Sequence, residues 1–151
     1  MLFEILIYLQ ILLMIAGPGA NTTYAIWIQR GMANRDALPF ALHGIKFIDD
    51  RVARAAYGLL LLTGLVLYLS ADESQSPWTL LSLVLWLIVF LLGLFGYSPT
   101  LRKQIALAEG LGADSEEYKA VAWRGVFLGI LAGLIVLVNI YLMVFQPALW
   151  S

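Results

Sequence analysis

Four long apolar blocks leave this chain little freedom in how it can fold. They run over residues 5–28, 52–69, 78–97 and 122–145. Each, as a helix, is long enough to cross roughly 30 Å of hydrocarbon. Backbone groups in lipid need partners within the protein, which leaves helices or a closed barrel. Barrel strands alternate apolar and polar residues, and these blocks do not. The sequence therefore predicts an all-α fold: a polytopic membrane protein, one four-helix transmembrane bundle over residues 1–151. Hydrophobic residues make up 62% of the chain and charged ones 13%, against roughly half and a quarter in soluble domains, so no length remains for a soluble module.

The nine Lys and Arg set the orientation. Arg30, Arg35, Lys46, Arg51 and Arg54 lie between the first two blocks or at the foot of the second. Arg102, Lys103, Lys119 and Arg124 lie between the last two. The connection between blocks two and three, SADESQSP, carries Asp72 and Glu73 and no positive charge. The positive-inside rule makes the basic side cytoplasmic and puts both termini outside, in the cytoplasmic (inner) membrane. The start MLFEILIYLQ has no basic residue and carries Glu4, so it reads as a retained span rather than a signal peptide. Tyr68, Trp78, Tyr141 and Trp150 are expected at the outer interface, and Trp27, Tyr57, Tyr97 and Trp123 at the inner one.

The basic segments carry local signals. Pro39 can open a short helix with Phe40, Ile45 and Phe47 on an interfacial face. Asp49 or Asp50 can cap the second span, and Asp50 can pair with Arg54. Ser98-Pro99 predicts a helix restart, stopped by Gly110 and Gly112. Asp114 with Glu117 resembles a capping box opening a helix that runs into the fourth span.

Several polar groups fall within the spans. Gly17-Pro18-Gly19 sits near the middle of the first block, followed by Asn21, Thr22 and Thr23. Pro18 removes a donor and frees the carbonyl of Met14. The expected result is a kink whose carbonyls the Asn and Thr side chains satisfy, or side chains that bond to another helix. The alternative is a helix break presenting backbone to a ligand or ion. Gln10, Thr63, Ser82 and Asn139 fall at similar depth in the outer half. They suggest interhelical hydrogen bonds or, more sharply, a ligand pocket open to the outside. No Asp, Glu, Lys or Arg lies in the middle of a span, which argues against a proton-driven carrier. Gly125, Gly129 and Gly133 form a stripe suited to close helix packing, within the bundle or in a homo-oligomer.

Chemistry is sparse. There is no cysteine, so thiolate metal sites and cysteine nucleophiles are excluded. His43 is the one histidine; it cannot build a bis-histidine haem site or a multi-histidine metal site. No catalytic or metal site is expected. A net charge of -1 makes nucleic acid an unfavourable partner.

The stretches DDRVARAAYGLLLLTGLVLYL, FLLGLFGYSPTLRKQ and VNIYLMVFQPALW resemble a family of predicted four-span bacterial integral membrane proteins, domain of unknown function 2269. That family is distantly similar to the copper-resistance D membrane domain and to four-span haem-associated oxidases. Those groups tend to carry histidine in the first helix, where this chain has Gln10. The resemblance implies fold and location, and no catalytic residue. The expected activity is non-enzymatic: an accessory subunit of a larger membrane complex, or a binder of lipid or another hydrophobic small molecule. Two alternatives follow. One is a haem- or quinone-associated redox protein with His43 or Gln10 as cofactor-binding residue. The other is a small oligomeric transport or permeation unit.

Overall fold

The structure is a computed structural model describing residues 1–70, 77–147 and 149. Asp72, Glu73 and Trp150 lie outside the described residues. Helix α1 spans Leu2–Ala33 and passes through a 3-10 turn, Arg35–Ala37, into α2, Leu38–Ile48. A π-helical segment, Asp49–Ala53, joins α2 to α3, Arg54–Ser70. Helix α4 covers Pro77–Leu91 and passes through a second π-segment, Leu92–Tyr97, into α5, Ser98–Gly110. Helix α6 is Glu116–Phe145. Among the described residues there is no strand. Four continuous helical stretches are long and apolar enough to cross a membrane: Glu4–Ala33, Arg35–Ser70, Pro77–Gly110 and Glu116–Phe145.

Several local expectations are corrected. Neither Asp49 nor Asp50 caps a new helix, because α2 flows through the π-segment into α3. The buried positions explain the wide turn: within the stripe, Ile45, Asp49, Ala53 and Tyr57 follow one another at steps of four. An ordinary helix of 3.6 residues per turn would rotate such a stripe off the core, and the wider π-turn keeps it in line. Ile45 therefore belongs to the core, and only Phe40 and Phe47 of the expected interfacial face are exposed. No helix restarts at Ser98. Pro99 brings no N–H, and the wider turns just before it let the helix continue past the missing donor. The cap of α6 is Ser115 rather than Asp114: its Oγ accepts from the Tyr118 N–H at 3.2 Å. Asp114 instead pairs with Arg35. Gly112 takes φ +87°, the left-handed geometry that ends α5 as expected.

The Gly-Pro-Gly region is also corrected in its sharper form. Helix α1 continues through Pro18 as one helix, so the chain is not broken there. Gly17 is a close-approach point instead: a Cβ on it would lie 3.0 Å from the Cβ of Ala56.

Helix α1 packs on α2 and α3, α3 on α4, α4 on α6, and α5 on α2 and α6. Helices α1 and α6 meet only sparsely, so the ring of spans has an open seam. Two cores result. One, at the basic end, gathers Tyr24, Leu38, Leu42, Ile45, Leu101, Ile105 and Tyr118. The other, within the spans, holds Ala53, Tyr57, Leu60, Trp86, Val89 and Val136. Tyr57 is thus a core residue, not an interfacial one, and Tyr97 stacks on Tyr24 with ring centroids 6.0 Å apart. Trp27 and Trp123 are exposed, as an interfacial place requires.

Candidate functional site: a side-opening cavity

A cavity of about 660 Å³ lies between the two cores, within the range of roughly 300–1,000 Å³ that suits a small-molecule site. Helix α1 supplies Met14, Pro18, Asn21, Tyr24 and Ile28 to its wall. Helix α6 supplies Gly125, Gly129, Gly133 and Leu137. Both π-segments border it, through Asp49 on one and Leu92, Gly93 and Tyr97 on the other. Val126, Ile130 and Leu137 line the cavity and yet are exposed, so its mouth opens sideways at the α1–α6 seam.

The glycine stripe faces the open seam. A Cβ on Gly129 or Gly133 would meet no described atom within 4 Å. These glycines do not draw two helices together; they leave room in front of α6. Gly125 alone faces near neighbours, Gln104 Oε1 at 3.6 Å and Thr100 Cγ2 at 3.8 Å from its Cβ position.

The wall is mostly apolar, and its charged residues are Asp49 and Arg54. They belong to one hydrogen-bonded network at the basic end. Arg54 Nη2 donates to Asp50 Oδ1 at 2.6 Å, and Lys46 Nζ pairs with the same oxygen. Both cations also donate to Ser98 Oγ, Lys46 at 3.2 Å and Arg54 at 3.1 Å. With two donors received, the Ser98 hydroxyl has its own hydrogen to give, and its partner is Asp49. Asp49 is 8% exposed. Two cations thus bridge Asp50 to Ser98, and Ser98 meets Asp49, which is how the buried Asp49 becomes tolerable. The network joins two of the three segments that carry the family resemblance, at the Asp-Asp-Arg start of one and the Gly-Tyr-Ser-Pro of the other.

Above this network the hydrogen bonding is incomplete. Asn21 Nδ2 donates to Tyr57 OH at 2.9 Å, but Asn21 Oδ1 is buried without a partner among the described residues. Tyr24 OH is likewise buried and unpartnered. Thr22 and Thr23 return their hydroxyls to the Gly19 and Ala20 carbonyls, at 2.6 and 2.7 Å. Gln104 donates to Tyr118 OH at 3.0 Å.

The four outer polar residues do not line this cavity. They form two separate interhelical pairs. Gln10 Nε2 donates to Thr63 Oγ1 at 3.3 Å and to the Leu60 carbonyl at 3.4 Å, joining α1 to α3. Asn139 Nδ2 donates to the Ser82 carbonyl at 3.1 Å, and the Ser82 hydroxyl donates to Asn139 Oδ1, joining α6 to α4. His43 is exposed on α2, with Nε2 2.6 Å from Glu109 Oε1 of α5. Neither His43 nor Gln10 borders the cavity, so these residues do not fit the ligation of a haem held there. Among the described residues no three of His, Cys, Asp or Glu gather as a metal site.

Sequence reasoning singled out Pro18, Gly19, Asn21 and the glycine stripe, and these do line one cavity. It missed Tyr24 and Gln104, placed Tyr97 at the inner interface, and took Asp49 for a cap. The available signal was Asp49 itself, four residues after Ile45 and four before Ala53 in an otherwise apolar stripe.

Four apolar helices with a side-opening cavity define a four-span integral membrane protein. The sequence matches the family described as predicted integral membrane protein, domain of unknown function 2269, over residues 6–147, and the chain belongs to that family. No curated protein and no solved structure matches it.

Proposed function

We propose that this protein binds a lipid or another amphipathic molecule that enters from the membrane through the seam between α1 and α6. The observation that carries this reading is the cavity itself: apolar, open to the side, and polar at one end. A space of that size facing hydrocarbon is filled in a membrane, and a polar end fixes which way round the filler lies. The protein acts without chemistry of its own, as a holder or accessory subunit. The nine Lys and Arg support a cytoplasmic place for the polar end and an outer place for both termini.

The test uses Gly129→Leu. No described atom stands within 4 Å of a Cβ there, and leucine favours the helix more than glycine does, so the variant folds and the side chain fills the mouth. Both proteins are purified in mild detergent and their bound lipids compared with bulk membrane. The wild type is expected to carry an enriched species that the variant has lost. Identical lipid profiles, both matching bulk membrane, would overturn the reading.

A further inference from the structure

We infer that the occupant has an uncharged head bearing a hydroxyl, as in a diacylglycerol, and this rests on the cavity reading above. Charge comes first. Asp49 and Arg54 are the charged residues of the wall, one of each sign. Their hydrogen bonds are already made: Lys46 and Arg54 meet Asp50 and Ser98, Ser98 meets Asp49, and the exposed Arg102 acts on Asp50 from outside. An anionic head would bring its charge to the buried Asp49 carboxylate, and a cationic head would bring its charge to Arg54. An anionic head sets a like charge beside the buried Asp49, and a cationic head competes with the pairing Arg54 already makes with Asp50. A neutral head avoids both costs.

The unpartnered atoms point the same way. Tyr24 OH has a hydrogen to give, and Asn21 Oδ1 can only accept. They stand three residues apart on α1, hence on one face of the helix. One hydroxyl serves both: its oxygen accepts from Tyr24 and its hydrogen goes to Asn21. Both atoms are shielded from water, so a hydroxyl reaches them only as the Tyr24 and Asn21 side chains turn toward it. The acyl chains then run outward along the glycines of α6, toward Leu137.

The experiment places the full chain in phosphatidylcholine nanodiscs. These contain equal small amounts of diacylglycerol, phosphatidylglycerol and a cationic lipid with matched chains. Native mass spectrometry reads what remains bound to the wild type, Tyr24→Phe and Gly129→Leu. Diacylglycerol is expected to be retained over both charged lipids, and Tyr24→Phe to hold about 3- to 10-fold less of it, one neutral hydrogen bond. Lipid-free Tyr24→Phe is expected to melt at or above the wild-type temperature, because its lost hydroxyl had no partner. Preference for a charged lipid, or unchanged retention by Tyr24→Phe, overturns the inference. Gly129→Leu separates the two levels. If it releases a charged lipid, the cavity reading stands and the neutral-head inference falls. If it releases nothing that the wild type holds, the cavity reading itself falls.

Discussion

Individual residues in this bundle do one of two jobs: they bring helices together or they keep them apart. Gly17 brings them together. A side chain there meets Ala56 at 3.0 Å, so Gly17→Val must push α1 off α3. Overpacking of this kind costs about 1–3 kcal/mol, to be read as a lowered melting temperature in detergent. Gly44 is the control: a Cβ there meets no described atom within 4 Å, so Gly44→Ala is expected to stabilise by up to about 1 kcal/mol through helix propensity. The amides of Gln10 and Asn139 also bring helices together, but in two pairs with no shared partner. Each change to leucine is expected to cost about 1–2 kcal/mol. The double variant should lose the sum to within about 0.5 kcal/mol, which a double-mutant cycle measures. These four outer residues show the limit of depth arithmetic. Their shared level was legible in the sequence; which neighbour each faces depends on helix rotation, and spacing along one helix does not fix that.

At the scale of elements, the two π-segments are the unusual feature, and both border the cavity. Helices α3 and α4 were legible as apolar blocks, and α2 and α5 from the prolines near their starts. Their fusion was not, because acidic residues before a span and a Ser-Pro pair read locally as caps. Those signals are overridden by tertiary packing: the buried stripe from Leu38 to Leu60 is continuous, and Asp49 is carried into it with its partners supplied by another helix. Ser98 is the link between the two long helices. Ser98→Ala removes an acceptor from Lys46 and Arg54 and a donor from Asp49. Leaving buried charges under-satisfied is expected to cost about 1–3 kcal/mol in thermal or denaturant unfolding. His43→Ala at the exposed pair with Glu109 is expected to change stability by less than about 1 kcal/mol in the same assay.

For the whole molecule, the number of spans was fixed by the apolar blocks, and their helical form by the need to satisfy backbone groups in lipid. The cavity was legible only in parts. Its α1 wall showed as a Gly-Pro-Gly with following polar residues, and its α6 wall as a glycine stripe. Sequence spacing suggested that the stripe would close a helix contact. Within the chain Gly125 does so, while Gly129 and Gly133 stay clear because α1 is held by α2 and α3 and α6 by α4 and α5, leaving the seam between them open. The central claim is that an amphiphile sits in that seam, and location is its most direct test. A neutral lipid with a photoreactive group on its acyl chain would be incorporated into membranes holding the full chain, and the labelled peptides mapped. Adducts should concentrate on residues 14–28 of α1 and 122–140 of α6, and fall away in Gly129→Leu. Adducts spread evenly over lipid-facing positions such as Leu62, Leu87 and Val144, unchanged in the variant, would contradict it.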